Sequence, residues 1–143
     1  HYLPRNLTVF FLSLPWLVDT SPFIRVSRHG LALWFTTPNL LWSLWPKKLD
    51  ATIVALWAAV LPTAICTLLY QNTGWVQFGY RFSLDYLPLL FTLVVLSRRR
   101  FGAAFWACAL FAVLVNTFGA VTFDRYRGFY DADPTQEVIF QPD

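Results

Sequence analysis

The sequence predicts an all-α fold, a polytopic integral membrane protein with about four transmembrane helices and an interfacial N-terminal helix. Of its 143 residues, 57% are hydrophobic and 19% aromatic, while only 13% are charged. The charged share is about half of the roughly 25% that is usual in soluble domains. The basic residues occur in short clusters between apolar runs, where membrane topology signals lie. Despite the net charge of +3, this distribution argues against nucleic-acid binding.

Four apolar runs are the predicted spans, judged against the roughly 20 residues that cross about 30 Å of hydrocarbon. Residues 51–70 and 101–121 contain no charged side chain and are the clearest of the four. Residues 30–45 and 82–97 are 16 residues each. Flanking aromatic and charged residues can extend such short spans to the membrane interfaces.

The N-terminal apolar segment, residues 7–18, is too short to be a span. It lies between Arg5 and Asp19. A segment of this length is better interpreted as an interfacial or re-entrant helix, or as the end of a longer span. Because the chain begins with His1 and lacks a secretory signal pattern, we expect a processed or partial chain.

The basic residues nearest the spans predict the orientation. Lys47 and Lys48 follow the first span, and Arg98–Arg100 follow the third. Two crossings separate these loops, so both are predicted to be cytoplasmic and both termini extracytoplasmic. The predicted regions are an external interfacial segment (1–29), a four-helix transmembrane domain (30–121) and an external tail (122–143), in which DADP is a turn.

Residues inside and beside the spans predict how the helices pack. Pro38, Pro62 and Pro88 each remove a helical hydrogen bond and favour kinks. Ala103 and Ala107, four residues apart, allow close approach of another helix. The residues at predicted interfaces, typical of an aromatic belt, are Trp42, Trp45, Trp75 and Tyr80. These features indicate membrane packing and require no ligand.

A possible anion site lies at the predicted outer rim. Arg81 and Asp85 are four residues apart, so on an α-helix they share a face. Either they form a salt bridge that ends a short span, or Arg81 binds an external anion. An arginine on the N-terminal side of its acidic partner is the weaker order and opposes the helix dipole. This order weakens the case for the salt bridge and leaves room for a partner of Arg81 other than Asp85.

Further cations lie on the same predicted side. Arg25, Arg28 and His29 directly precede a span, and Arg5 lies in the N-terminal segment. Positive-inside statistics disfavour so many arginines outside. Lipid headgroups or internal pairs can compensate them, and so can a phosphate or diphosphate bound by guanidinium groups. Histidines and carboxylates at ligand spacing are lacking, so neither a metal nor another cofactor is predicted.

Three stretches are similar to GT-C-type (family 39-like) glycosyltransferases, bacterial polytopic membrane enzymes. They are GWVQFGYRFSLDYLPLL (74–90) and the upstream YLPRNLTVFFLSLPW with GLALWFTTPNLLWSLWP. The resemblance covers most of this chain but only the C-terminal part of such an enzyme. It implies an inner-membrane protein that takes a sugar from a polyprenyl-phosphate donor on the outer face. It implies donor-phosphate contacts for Arg81, Arg25 and Arg28, with the catalytic acidic residue in an earlier loop outside this chain.

The alternative hypothesis is a noncatalytic accessory or structural subunit of a larger membrane complex, such as an energy-converting one. The small-residue face and the scarcity of catalytic groups fit this role, which implies other membrane protein chains as partners. A transporter has less support, because the sequence has no internal repeat and no pair of broken spans.

Overall fold

The computed structural model describes residues 2–74 and 76–130, which are mostly helical. His1, Trp75 and the tail from residue 131, with its predicted DADP turn, lie outside the described residues. The elements, in chain order, are α1 (Tyr2–Leu12), β1 (Trp16–Leu17), β2 (Ile24–Arg25), α2 (Leu33–Thr36), the 3-10 helix η1 (Pro38–Leu44), α3 (Ala51–Leu68), η2 (Arg81–Asp85), α4 (Leu87–Leu96), α5 (Ala103–Thr122) and η3 (Arg127–Phe129). Strands β1 and β2 pair antiparallel.

Helices α3 and α5 are long and apolar enough to cross a membrane, with 18 and 20 residues. At 1.5 Å per residue they extend about 27 and 30 Å. Only 11% and 6% of their most apolar windows are buried inside the molecule, unlike the core helix of a soluble protein. The predicted helices at 51–70 and 101–121 are therefore confirmed as long apolar helices.

The continuous helix predicted over residues 30–45 is wrong. The segment forms the four-residue α2 and the seven-residue η1, with Thr37 between them at φ −144°. Pro38 causes the break, because its ring disfavours helical geometry at the preceding residue and it has no N–H to donate. Together α2 and η1 cover roughly 20 Å. The described residues thus contain two helices of spanning length rather than the four predicted.

The third predicted span, residues 82–97, also differs from a single helix. It starts as η2, and α4 then has only ten residues. Helix α4 lies at the centre of the fold, where it packs against η1 and α3. The main hydrophobic core consists of Leu33, Leu40, Ile53, Val60, Tyr86, Leu90, Leu93 and Val94. One face of α4 is buried in this core, whereas Phe91 and Val95 on the other face are 44% and 66% exposed.

One end of the molecule, here called the basic end, is formed by residues 45–50 and 97–100. The backbone N–H of Lys47 donates to the carbonyl of Ser97 at 2.9 Å. The Nε of Arg99 donates to the carbonyl of Trp45 at 2.6 Å. The two loops that the sequence assigns to one side of the membrane are therefore in contact.

The opposite end, here called the loop end, is formed by residues 24–31, 71–81 and 122–130. Backbone N–H groups join the three segments: Leu31 donates to Phe78 at 2.7 Å, and Val26 donates to Phe129 at 2.8 Å. A single isolated bridge between Leu31 and Gly79 adds to the contact. The three segments predicted to share the outer side thus meet at one end.

Asp50 begins α3 as its N-cap, where its carboxylate accepts a hydrogen bond from the backbone N–H of Ile53 at 3.1 Å. Asp50→Ala should lower the free energy of unfolding by about 1 kcal/mol, because the first turn then loses a side-chain acceptor. Chemical denaturation in detergent micelles measures this change. Asp50→Asn is the matched control, since its amide oxygen still caps, and a loss equal to that of alanine would contradict the capping role.

Candidate functional site

An open cleft of about 400 Å³ lies at the loop end, where residues 76–81 and η2 face α2 and α5. Its polar lining residues are Thr36, Thr37, Gln77, Arg81, Ser83 and Asn116, and its apolar ones include Leu33, Val76, Leu84, Leu87 and Phe123. A volume of this size is within the range of small-molecule sites. The cleft therefore combines an apolar wall with a few polar groups, the usual composition of a ligand pocket.

Gln77 organises the backbone around this cleft and is only 3% exposed. Its Nε2 donates to the carbonyls of His29 and Thr73. Its Oε1 accepts the backbone N–H of Arg81 at 2.9 Å, and its own N–H donates to the carbonyl of Arg28 at 2.9 Å. One side chain thus fixes the 71–81 loop to the segment before α2.

Arg81 lines the cleft with an exposed side chain. Its backbone is held by Gln77, and its guanidinium carbon lies 5.6 Å from the centre of the Phe82 ring. Guanidinium groups stack on aromatic rings while keeping their N–H donors available for oxygen acceptors. Arg81 is therefore oriented but open to an anion.

The predicted common face of Arg81 and Asp85 is wrong, because η2 is a 3-10 helix. With three residues per turn, positions four apart are separated by about 120° around the axis, whereas on an α-helix they lie one above the other. Asp85 is exposed and is not among the residues that line the cleft. The structure therefore separates Asp85 from the site that Arg81 lines.

Arg25 and Arg28 lie at the same end of the molecule but outside the cleft lining. Arg25 belongs to β2 and pairs in register with Trp16. The Nε of Arg28 donates to the carbonyl of Tyr130 at 2.8 Å. Of the three arginines predicted to bind an anion, the structure brings only Arg81 to the cleft.

His29 lies behind the cleft, 5% exposed, as part of the Gln77 network. Its Nδ1 is 2.7 Å from the Thr73 hydroxyl oxygen. Burial, and secondarily the positive charge of Arg5, lowers the pKa of His29 to about 4. The imidazole is therefore neutral at physiological pH and contributes packing and a hydrogen bond rather than charge.

Asn116 was missed at the sequence level, although an amide within an apolar helix is a signal for an inward-facing position. Its Nδ2 donates to the carbonyl of Thr36 at 2.7 Å and to that of Ala112 at 2.8 Å. These bonds join α5 to the end of α2 along one wall of the cleft. Asn116 thus helps to position the wall of the cleft that α2 and α5 form.

The lining suits an anionic group joined to an apolar body. Arg81 is the one charged side chain among the described lining residues, and neutral hydroxyl and amide groups accompany it. Those residues include no carboxylate that would repel an anion or act as a general base. The arrangement can therefore bind an anion through Arg81.

No protein-family model, curated protein sequence or solved structure matches this chain.

Proposed function

We propose that this chain is a membrane-embedded helical unit that binds the phosphate of a lipid in the cleft beside Arg81. The observation that carries the proposal is the presence of a single positive charge in a half-apolar cleft at one end of long apolar helices. A guanidinium group binds phosphate oxygens through paired N–H donors. Leu84, Leu87 and Phe123 offer an apolar surface to the chain that follows the phosphate.

The membrane part of the proposal is supported by the apolar surface of α5. Trp106, Leu110 and Val113 are each 62% exposed, and Leu114 is 61% exposed. Such a continuous apolar face is unfavourable in water, whereas lipid tails or partner helices would cover it. The alternating direction of η1, α3, α4 and α5 between the basic end and the loop end supports a multi-pass arrangement.

The proposed lipid is the polyprenyl-phosphate sugar donor of a GT-C-like glycosyltransferase, of which this chain would be the C-terminal portion. This identification rests on the sequence resemblance, and the loop-end position of the cleft agrees with donor binding at the outer face. The catalytic acidic residue would come from an earlier loop of the enzyme, in a bacterial inner membrane. Arg81 would hold the donor phosphate and not transfer the sugar itself.

The test of the site is retention of polyprenyl phosphate by the purified chain in nanodiscs. Arg81→Ala should weaken retention about tenfold or more, since a charge-assisted hydrogen bond contributes roughly 1.5–3 kcal/mol. Arg125→Ala is the matched control, because Arg125 is an exposed arginine at the same end that does not line the cleft. If both variants lost retention equally, the loss would be explained by the total positive charge of this end, and Arg81 would not be part of a specific site.

The second candidate, an accessory subunit of a larger membrane complex, is favoured by one surface. Ala103 and Ala107 are exposed near the start of α5 and allow close approach of another helix. The intact mass of the natively purified protein, with its co-purifying chains identified, separates the two proposals. A heavier polypeptide with further spans supports the enzyme. A 16.5 kDa chain that co-purifies with other membrane proteins in fixed stoichiometry supports the subunit.

A further inference from the structure

Another cavity lies at the basic end, at the opposite end of the molecule from the Arg81 cleft. It has a volume of about 350 Å³ and is lined by Leu41, Trp42, Trp45 and Arg99. Tryptophan rings at the ends of membrane helices favour the level of the lipid headgroups, where one part of the ring system is apolar and the other is wet. The cavity thus combines a guanidinium group with two interfacial rings.

Contacts between the two basic loops hold Arg99 in this position. Its Nε donates to the Trp45 carbonyl at 2.6 Å, and its backbone N–H donates to the Ser97 hydroxyl at 3.3 Å. Trp42 is held from the other side by an edge-to-face contact with Phe105, with ring centres 5.3 Å apart. Within the described part of the chain, Nε is the only side-chain donor that Arg99 uses, so its two terminal nitrogens can donate to a ligand.

The charge around the cavity favours an anion. Lys47, Lys48, Arg98 and Arg100 flank Arg99 in the two loops and are all exposed. The acidic residue of this end, Asp50, directs its carboxylate to the N-terminus of α3. Basic pockets between membrane helices are known binding places for anionic lipid headgroups.

An apolar cavity adjoins the basic-end cavity at one residue. Leu41 lines both the basic-end cavity and a second cavity of about 310 Å³ between α1, η1 and α3. The walls of the second cavity include Trp34, Leu44, Trp57 and Leu61. At about 30 Å³ for a water-sized group, this volume holds roughly ten such groups. Because its lining is almost entirely apolar, it suits an alkyl chain rather than a second polar group.

We propose that the basic end binds an anionic glycerophospholipid, with its phosphodiester on the terminal nitrogens of Arg99 between Trp42 and Trp45. One acyl chain passes Leu41 and occupies the apolar cavity. The inference rests on the membrane part of the proposed function only, and it is independent of Arg81 and of the glycosyltransferase assignment.

Native mass spectrometry of the delipidated full chain, titrated separately with phosphatidylglycerol and phosphatidylcholine, tests this site. We expect one phosphatidylglycerol to bind at concentrations at which phosphatidylcholine does not. Arg99→Ala should weaken that binding at least tenfold and Arg100→Ala at most about twofold. If the lipid were attracted only by the total charge of this end, each basic residue removed would weaken binding by a similar factor. That factor is about fivefold, because each charge contributes roughly 1 kcal/mol. Equal losses would overturn the proposal.

Two further variants separate binding from folding. Trp45→Leu removes an exposed ring from the cavity wall but keeps the backbone carbonyl that Arg99 uses, and it should also weaken binding while circular dichroism stays unchanged. Arg125→Ala removes an exposed arginine of the loop end and should leave phosphatidylglycerol binding unchanged. Retention of polyprenyl phosphate, measured separately, reports on the Arg81 cleft, so the failure of one site is distinguishable from that of the other. Competition by water-soluble sn-glycerol 3-phosphate at the concentration of the bound lipid would show that no acyl chain is needed and would overturn the lipid assignment.

Discussion

Gln77→Leu should lower the free energy of unfolding by about 3 kcal/mol or more, a large effect for one side chain of nearly unchanged size. The substitution leaves the carbonyls of His29 and Thr73 and the backbone N–H of Arg81 without their partner. Each buried polar group left unpaired costs roughly 1–3 kcal/mol. Tryptophan fluorescence during denaturation in mixed micelles measures the loss.

Two control variants identify the cause of this loss. Gln71→Leu makes the same substitution at an exposed position of the same loop and should change stability by less than about 0.5 kcal/mol. Gln77→Glu keeps an oxygen acceptor for the Arg81 N–H but loses the donors to His29 and Thr73, so an intermediate loss is expected. If leucine at position 77 were tolerated as well as leucine at position 71, the hydrogen bonds of Gln77 would not hold the loop end together.

The parts of the fold predicted from the sequence are those that depend on the length of an apolar run. Residues 51–70 and 101–121 contain enough consecutive apolar residues to form long helices without help from distant contacts. Residues 30–45 also lack charged side chains, yet Pro38 and tertiary contacts decide their shape: the Asn39 Nδ2 donates to the Phe105 carbonyl at 3.0 Å. Hydropathy does not register such a contact between residues far apart in the chain.

Of the candidate site, only the charged residue Arg81 was predicted from the sequence. Arg81 stood out as a cation beside an apolar run, and the structure places it in a cleft. The common face with Asp85 assumed 3.6 residues per turn, which the 3-10 geometry of η2 does not provide. Gln77 gave no signal, because a glutamine in a polar loop is ordinary. Its importance comes from partners 48 and 4 residues away.

The stability of the loop end should fall on acidification through His29. Burial lowers the pKa of His29 to about 4 from its usual 6.5, so the folded state favours the neutral ring. Above pH 6.5 both states are neutral, and the full stability is present. As the pH falls from 6.5 to 4, the unfolded chain gains a proton that the folded chain does not. The free energy of unfolding should therefore decrease by up to about 3 kcal/mol over this interval.

The measurement is the free energy of unfolding at pH 7.5, 5.5 and 4.5 for the wild-type chain and for His29→Gln, because carboxylates also titrate in the lower part of this range. The glutamine variant retains a group that can bond the Thr73 hydroxyl but cannot gain a proton. We expect the wild type to lose more stability than the variant between pH 7.5 and 4.5, by about 2–3 kcal/mol. Parallel curves for the two chains would contradict the lowered pKa of His29. They would mean that the ring gains a proton as readily in the folded chain as in the unfolded chain, despite Arg5 and burial.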